Sequence, residues 1–572
     1  MDSTSLSFEL FAICVKVYKL LIDAESMPKD SLYLRIRLQI ERDKLVDWAV
    51  LANLSEDERT LTSGLQLNLH KLNGALQEIR LVLLDLAKLT GWQETDQMNA
   101  CIAKRSLHDS PKASPLKLNS SLQRKAVSFA ERTRIFPRKV SWKSFDGKAF
   151  ELLLAKLAAL NQNLTYFFGQ RQQDTHLRMQ ENTFMGIIQS HDQIDELIGV
   201  MASLKATSLY RRISAHEQLL LQLARFKAIH TAMTEAGHSF EELRVRDYLG
   251  EPPSTHLTQI LLDEGRYIDG EADNLSENEP VRTWGIYETV PVWVEWKYYE
   301  PIGRQNNPPP HIEGRIAKLA TLLNDKQKPE QFSVPDCLGY IHEADKTRFG
   351  FVFHGAGNLP PPRLLDMIAS TSRPKPSLTT RLQIARAVAT SIWYLHASNW
   401  LHKGLRSENV VFPFKPPAPP YLTGFDFSRP AKVTERPENR YHDLYRHPLT
   451  QFEYPQEGRD GFKKLYDIYS LGVVLYEIGM WKPVHAILGI DMAAGIGLAE
   501  IEDTQKRLLS DNCLMSLAAD VGDAYMATVA SCLSGDFGFD SFDGLSDQAN
   551  YDARLQLEFG ERVIRKLESV MV

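Results

Sequence analysis

The chain has 572 residues, 43% hydrophobic and 24% charged, which excludes a single domain and describes an ordinary soluble chain able to bury more than one core. Its net charge of −6 argues against a dedicated nucleic-acid binder. Five scattered cysteines without a CxxC pair signal neither a zinc ribbon nor a disulfide framework, so a reducing compartment is expected and no metal site is.

In chain order, the first 250 residues read as successive helices. Residues 5–25 are apolar on most sides, but Glu9, Lys16 and Lys19 interrupt the run. A secretory signal and a conventional spanning helix are therefore not expected, and an amphipathic helix is. Leu34, Leu38, Leu45 and Trp48, and then Leu65, Leu69, Leu72, Leu76, Ile79 and Leu83, recur at helical spacing. Residues 100–143 break the pattern. Between 101 and 143 stand eleven Lys and Arg against Asp109 and Glu131, a local +9, with Ser110, Ser114, Ser120, Ser121 and Ser128 among them. Helical periodicity resumes at Phe150, Leu153, Leu157, Leu160 and Leu164, and two helices are expected over roughly 180–204 and 208–236.

The pattern changes near Asn274. VPVWVEWKYYE and RFGFVFHG read as strands, IEGRIAKLATLL as a helix, and LYDIYSLGVVLYEIGMW as a long buried helix. Strands first and helices after give an α+β order. The expected architecture is multidomain: an all-α bundle at 1–225, a helical brace and linker at 226–282, and an α+β domain at 283–572.

Four segments of the second half carry a resemblance. HKGLRSENVVF, His402 to Phe412, resembles the protein-kinase catalytic loop HRDLxxxN, and TGFDFSRP stands where kinases carry DFG. DIYSLGVVLYE, with Asp467, is similar to the helix that anchors the catalytic loop, and VEWK, ending at Lys297, to the VAIK strand. The resemblance implies a bilobal kinase fold with Lys297, Glu313 and Asn409 around an ATP pocket and Asp467 and His402 in structural roles.

Phosphoryl transfer needs one carboxylate at the nucleophile and another on the metal. Position 404 is Gly404, and the residue aligned with the metal aspartate is Gly424, followed by Phe425 and Asp426. No GxGxxG precedes Lys297. The expectation is a pseudokinase with no catalytic residue, with ATP as a ligand that is not turned over. A register shifted by two would instead make Asp426 the metal ligand. YHDLYRHP, with His442, Asp443 and His447, falls where the activation segment belongs and is read as structural rather than metal-binding.

The first half resembles the fungal HeLo domain of prion-inhibition and heterokaryon-incompatibility proteins. The matching features are the N-terminal helix, ERDKLVDW (Glu41–Trp48), and a tryptophan and basic turn before a helix ending in Asn-x-x-Leu, within Ser141–Phe168. A HeLo bundle joined to a pseudokinase is similar in architecture to mixed-lineage kinase domain-like proteins. The resemblance implies a cell-death effector whose first helix, with Phe8, Phe11, Lys16 and Lys19, acts on anionic membrane when released. Expected partners are an upstream receptor or kinase and further copies of the chain. The expected location is cytoplasmic, with movement to the plasma membrane. Two other readings are a protein-interaction scaffold without membrane activity and an atypical active kinase.

Overall fold

The structure is a computed structural model. It describes residues 3–23, 32–54, 61, 63–89, 146–208, 212–236, 260–269, 282–302, 306–355, 359–372, 374–413, 418–425, 440–451, 462–539 and 548–570. The basic segment 101–143, Asp426, and residues 237–259 of the expected brace lie outside these. The chain divides into two compact units: Met1–Thr231 with Asp547–Leu557, and Ala232–Ser546 with Glu558–Val572.

The first unit is helical. Its elements are α1 (Ser3–Ile22), α2 (Leu32–Leu51), α3 (Leu69–Leu89), α4 (Gly147–Leu164), α5 (Gln170–Ser190), α6 (Ile194–Ser208) and α7 (Ala215–Ala236), the last running on into the second unit's span. Asp146 caps α4 by accepting from the backbone N–H groups of Lys148 and Ala149. The core is built from α1, α2, α3 and α4: Phe8, Phe11, Val15 and Tyr18 meet Leu45, Trp48, Leu76, Leu83, Phe150 and Leu157. Helix α1 is therefore a central element, buried on most sides. The helix expected over 180–204 is two helices, broken at His191–Gln193, and α5 begins ten residues earlier.

The second unit begins with a five-stranded antiparallel sheet of order β1-β2-β3-β5-β4: β1 (Tyr267–Asp269), β2 (Arg282–Tyr287), β3 (Val290–Tyr298), β4 (Cys337–Glu343) and β5 (Arg348–His354). The segment read as linker thus already contains the first strand, because Tyr267–Asp269 pair with Tyr287–Gly285 of β2. Strand alternation splits β3 into two faces. Val292, Val294 and Trp296 pack with Ile341 and Val352, leaving Trp293, Glu295 and Lys297 on the other face. Helix α8 (Pro310–Asn324) joins β3 to β4 and packs on β4.

Helices follow: α9 (Leu378–Ala397), capped by Ser377; α10 (Lys464–Met480), nearly all of it buried; α11 (Asp511–Val521); and α12 (Asp523–Ser534). Between α9 and α10 a two-stranded ribbon, β6 (Val410–Val411) and β7 (Tyr421–Leu422), presents the loop 402–409 on one side and residues 423–425 on the other.

Candidate functional site: the cleft between sheet and ribbon

The loop 402–409 is held from below by Asp467. Its carboxylate accepts the backbone N–H groups of His402 at 2.7 Å and Lys403 at 2.8 Å, and His396 Nε2 lies 3.2 Å away. Burial pushes this carboxyl up, but the His396 hydrogen bond and neighbouring charges outweigh it and hold it below the ordinary range. Asp467 thus ties the backbone of this loop to helix α10. His402 is fully buried, and desolvation lowers its imidazole to about 4, so the ring is neutral. It stacks on Phe425 with ring centroids 4.4 Å apart, and Phe425 stacks on Trp400 at 4.6 Å.

This stack fixes the register of the ribbon's far side. Phe425 takes the packing place beside His402, Thr423 N donates to Asn409 O at 2.9 Å, and Gly424 falls between them, level with Asn409. Gly424 has φ +71°, and a Cβ built on it would stand 2.1 Å from Asn409 Cγ. The position therefore admits glycine and no larger residue without moving Asn409. Gly404 is half-buried, and its carbonyl accepts from Asn409 Nδ2 at 2.7 Å. The structure places Gly404, Asn409, Gly424 and Phe425 together. Neither Gly404 nor Gly424 offers a side-chain oxygen.

Across the cleft stands Lys297, 3.3 Å from Glu295 Oε1. Its expected partner on the following helix is corrected here. Glu313 is exposed in the first turn of α8, close enough to influence the titration of Tyr299, Tyr340 and His342, and the ion partner of Lys297 lies two residues back on its own strand. Sequence reasoning missed Glu295. It also missed Arg282, which stands directly opposite Glu295 in the β2–β3 register. The sequence shows Arg282, Glu295 and Lys297 as charges in two largely apolar strands, but not which of them pair.

Glu295 Oε2 accepts from Arg282 Nη2 at 3.0 Å and Nε at 3.2 Å, and from Gly424 N at 3.1 Å. Burial pushes the Glu295 carboxyl up, while Lys297 and Arg282 together bring it down to about 2. Arg282 reaches on to the ribbon and donates to Glu408 O at 2.8 Å, Asn409 Oδ1 at 2.9 Å and Thr423 Oγ1 at 2.8 Å. Both ends of the Asn409 amide are thereby engaged. Behind Glu295, between helix α8 and the ribbon, a cavity of about 10 Å³ is walled by Leu319, Leu323, Phe351, Phe353, Leu422 and Phe425, room for one water.

The first unit has its own polar hub, where the two pieces of its motif meet. Asn161 Nδ2 donates to Glu41 Oε2 at 3.0 Å, Glu41 O at 2.9 Å and Tyr18 OH at 3.2 Å, and Trp48 Nε1 donates to Leu164 O at 2.9 Å. Lys44 bridges Glu41 at 3.0 Å and Glu217 at 2.9 Å. Phe8 and Phe11 are core residues. Lys16 is half-buried, and desolvation lowers its ammonium to about 8. No helix among the described residues is long and apolar enough to cross a membrane.

Comparison with known proteins assigns the two units. A family model described as "Prion-inhibition and propagation", the HeLo domain, matches residues 3–199. One described as "Protein tyrosine and serine/threonine kinase" matches residues 318–504. The chain therefore carries a HeLo domain followed by a protein-kinase-like domain, the architecture of a signalling or cell-death-type protein. The kinase match starts inside α8, so β2 and β3, with Arg282, Glu295 and Lys297, lie outside it. A search of curated proteins finds no match.

Proposed function

We propose that the chain is a non-catalytic signalling effector of the programmed-cell-death or heterokaryon-incompatibility type, in which a pseudokinase domain regulates a HeLo domain that acts on anionic membrane. The observation that carries the non-catalytic part is the pair Gly404 and Gly424 beside Asn409. The two positions where phosphoryl transfer requires carboxylates have none, and at the second a side chain would have to displace Asn409. The chain then works through protein partners: an upstream receptor or kinase that reads the pseudokinase surface, and further copies of itself. It resides in the cytoplasm and moves to the plasma membrane on activation. Neither a resident cofactor nor a metal is required.

A scaffold without membrane activity is the second reading, and the burial of Phe8 and Phe11 in the bundle core favours it. Dye release from anionic liposomes separates the two. The effector reading expects release by residues 1–236 and silence from the resting full chain. Vesicles left intact and unbound by both proteins would favour the scaffold. Transfer of labelled phosphate by the full chain would refute the non-catalytic reading itself.

A further inference from the structure

We propose that Arg282 and Glu295 are a built-in occupant of the nucleotide cleft, an ion pair that excludes nucleoside triphosphate and latches the sheet to the 402–411 loop. The inference rests on the non-catalytic reading above and goes beyond it, because a domain that lacks the transfer carboxylates can still bind nucleotide.

Four observations carry it. The two residues face each other across β2 and β3, on the side of β3 that also presents Lys297. Both are buried, with side chains 6% and 3% exposed. Among the described residues, the hydrogen bonds of the pair beyond its own strands all go to the ribbon side: Glu408 O, Asn409 Oδ1 and Thr423 Oγ1 for Arg282, and Gly424 N for Glu295. Glu295 is closely packed from behind, where the cavity toward helix α8 is only about 10 Å³.

Glu295 is shared between Arg282 and Lys297, so it offsets part of the charge of the cation that would meet the phosphates. The three groups together still carry +1, so the exclusion is steric and hydrogen-bonded in origin rather than a like-charge repulsion. An incoming triphosphate would have to displace Arg282 from three acceptors. Ion pairs of this kind do not ordinarily add stability over a well-packed apolar pair. Their effect here is geometric: the planar guanidinium ties two chain segments, through three acceptors, to the sheet at fixed distances.

The test uses the full chain and two readouts. A fluorescent ATP analogue, with and without Mg²⁺, should show no saturable binding up to about 1 mM, and ATP should leave the thermal midpoint unmoved. In R282V/E295A, which removes both charges and leaves no buried ion unpaired, amide exchange in 402–411 and 421–425 should rise by about tenfold or more. Exchange in α10 should stay at the wild-type rate and report that the fold is kept. E295Q, which keeps an acceptor for Gly424 N–H, should loosen the same amides to a smaller extent, and it serves where the double variant fails to fold.

Saturable nucleotide binding by the wild-type chain without phosphotransfer would overturn the latch and leave the non-catalytic reading standing. Binding with phosphotransfer would overturn both. Unchanged exchange at 402–411 in folded R282V/E295A or E295Q would also overturn the latch.

Discussion

At the scale of single residues, the cleft is governed by what Gly424 permits. Restoring an aspartate there is the obvious attempt to revive a kinase. With φ at +71° and a Cβ only 2.1 Å from Asn409 Cγ, that side chain is strained before it meets any metal. We expect Gly424→Asp to lower stability by about 2–4 kcal/mol, from left-handed backbone and overpacking together. Gly404→Asp/Gly424→Asp should gain no phosphotransfer, because Glu295 and Arg282 still fill the cleft. Thermal unfolding with a labelled-phosphate assay checks both, and measurable transfer by the double variant would sink this account. Gly404 and Gly424 were legible in the sequence, since a missing carboxylate in a spaced motif is a local fact. Glu295 was not. The VEWK reading fixed attention on Val294 and Lys297, and the partner of Lys297 was sought on the next helix. Which carboxylate reaches an ammonium is decided by strand register, and the Arg282–Glu295 register belongs to the folded sheet.

At the scale of elements, the helices and strands were legible where periodicity was strong, and the breaks between them were not. His191–Gln193 carries no Gly or Pro to mark the end of α5. Tyr267–Asp269 is three residues long and gains its place only by pairing with β2. The contact between α2 and α4 was written in two distant motifs whose meeting required the fold. Asn161→Ala removes the amide that serves Glu41, a carboxylate 1% exposed. A loss of about 1–3 kcal/mol is expected, read as faster amide exchange in α2 and α4 with α10 unchanged.

Helix α10 supplies a pH test. Glu477 Oε1 accepts from Tyr445 OH at 2.6 Å and Val484 N at 2.7 Å, while its Oε2 has no partner among the described residues. Burial raises this carboxyl from 4.5 to about 8, against the pull of the Tyr445 hydrogen bond. The folded state therefore holds the proton more tightly than the unfolded state. The contribution is complete below 4.5 and is lost as pH rises through about 8. The thermal midpoint should fall across that window and lose that slope in Glu477→Gln, which mimics the protonated acid. An equal slope in both proteins would place the titration elsewhere.

At the scale of the whole molecule, the question is what it takes to free α1. Phe8, Leu10, Phe11, Val15, Val17, Tyr18 and Leu21 are all buried. At about 1.5–3 kcal/mol per side chain, removing the helix into water costs on the order of 10–20 kcal/mol as an upper bound. Attraction of Lys16 and Lys19 to anionic lipid returns about 1 kcal/mol each. Headgroup charge alone therefore cannot extract the helix. The bilayer has to bury its apolar side chains again, and the core faces of α2, α3 and α4 have to be covered, which favours self-association at the moment of release. A reversible staple tests this sequence of events. Ser7 Oγ on α1 donates to Asn73 Oδ1 on α3 at 2.6 Å, so the two side chains already touch. In Ser7→Cys/Asn73→Cys, oxidation should tie α1 to the bundle, abolish dye release by residues 1–236, and leave helix content unchanged. Reduction should restore release to the rate of the unsubstituted protein. Equal release by the oxidised and reduced forms would mean that α1 never leaves, and that any action on membrane belongs to another surface of the bundle.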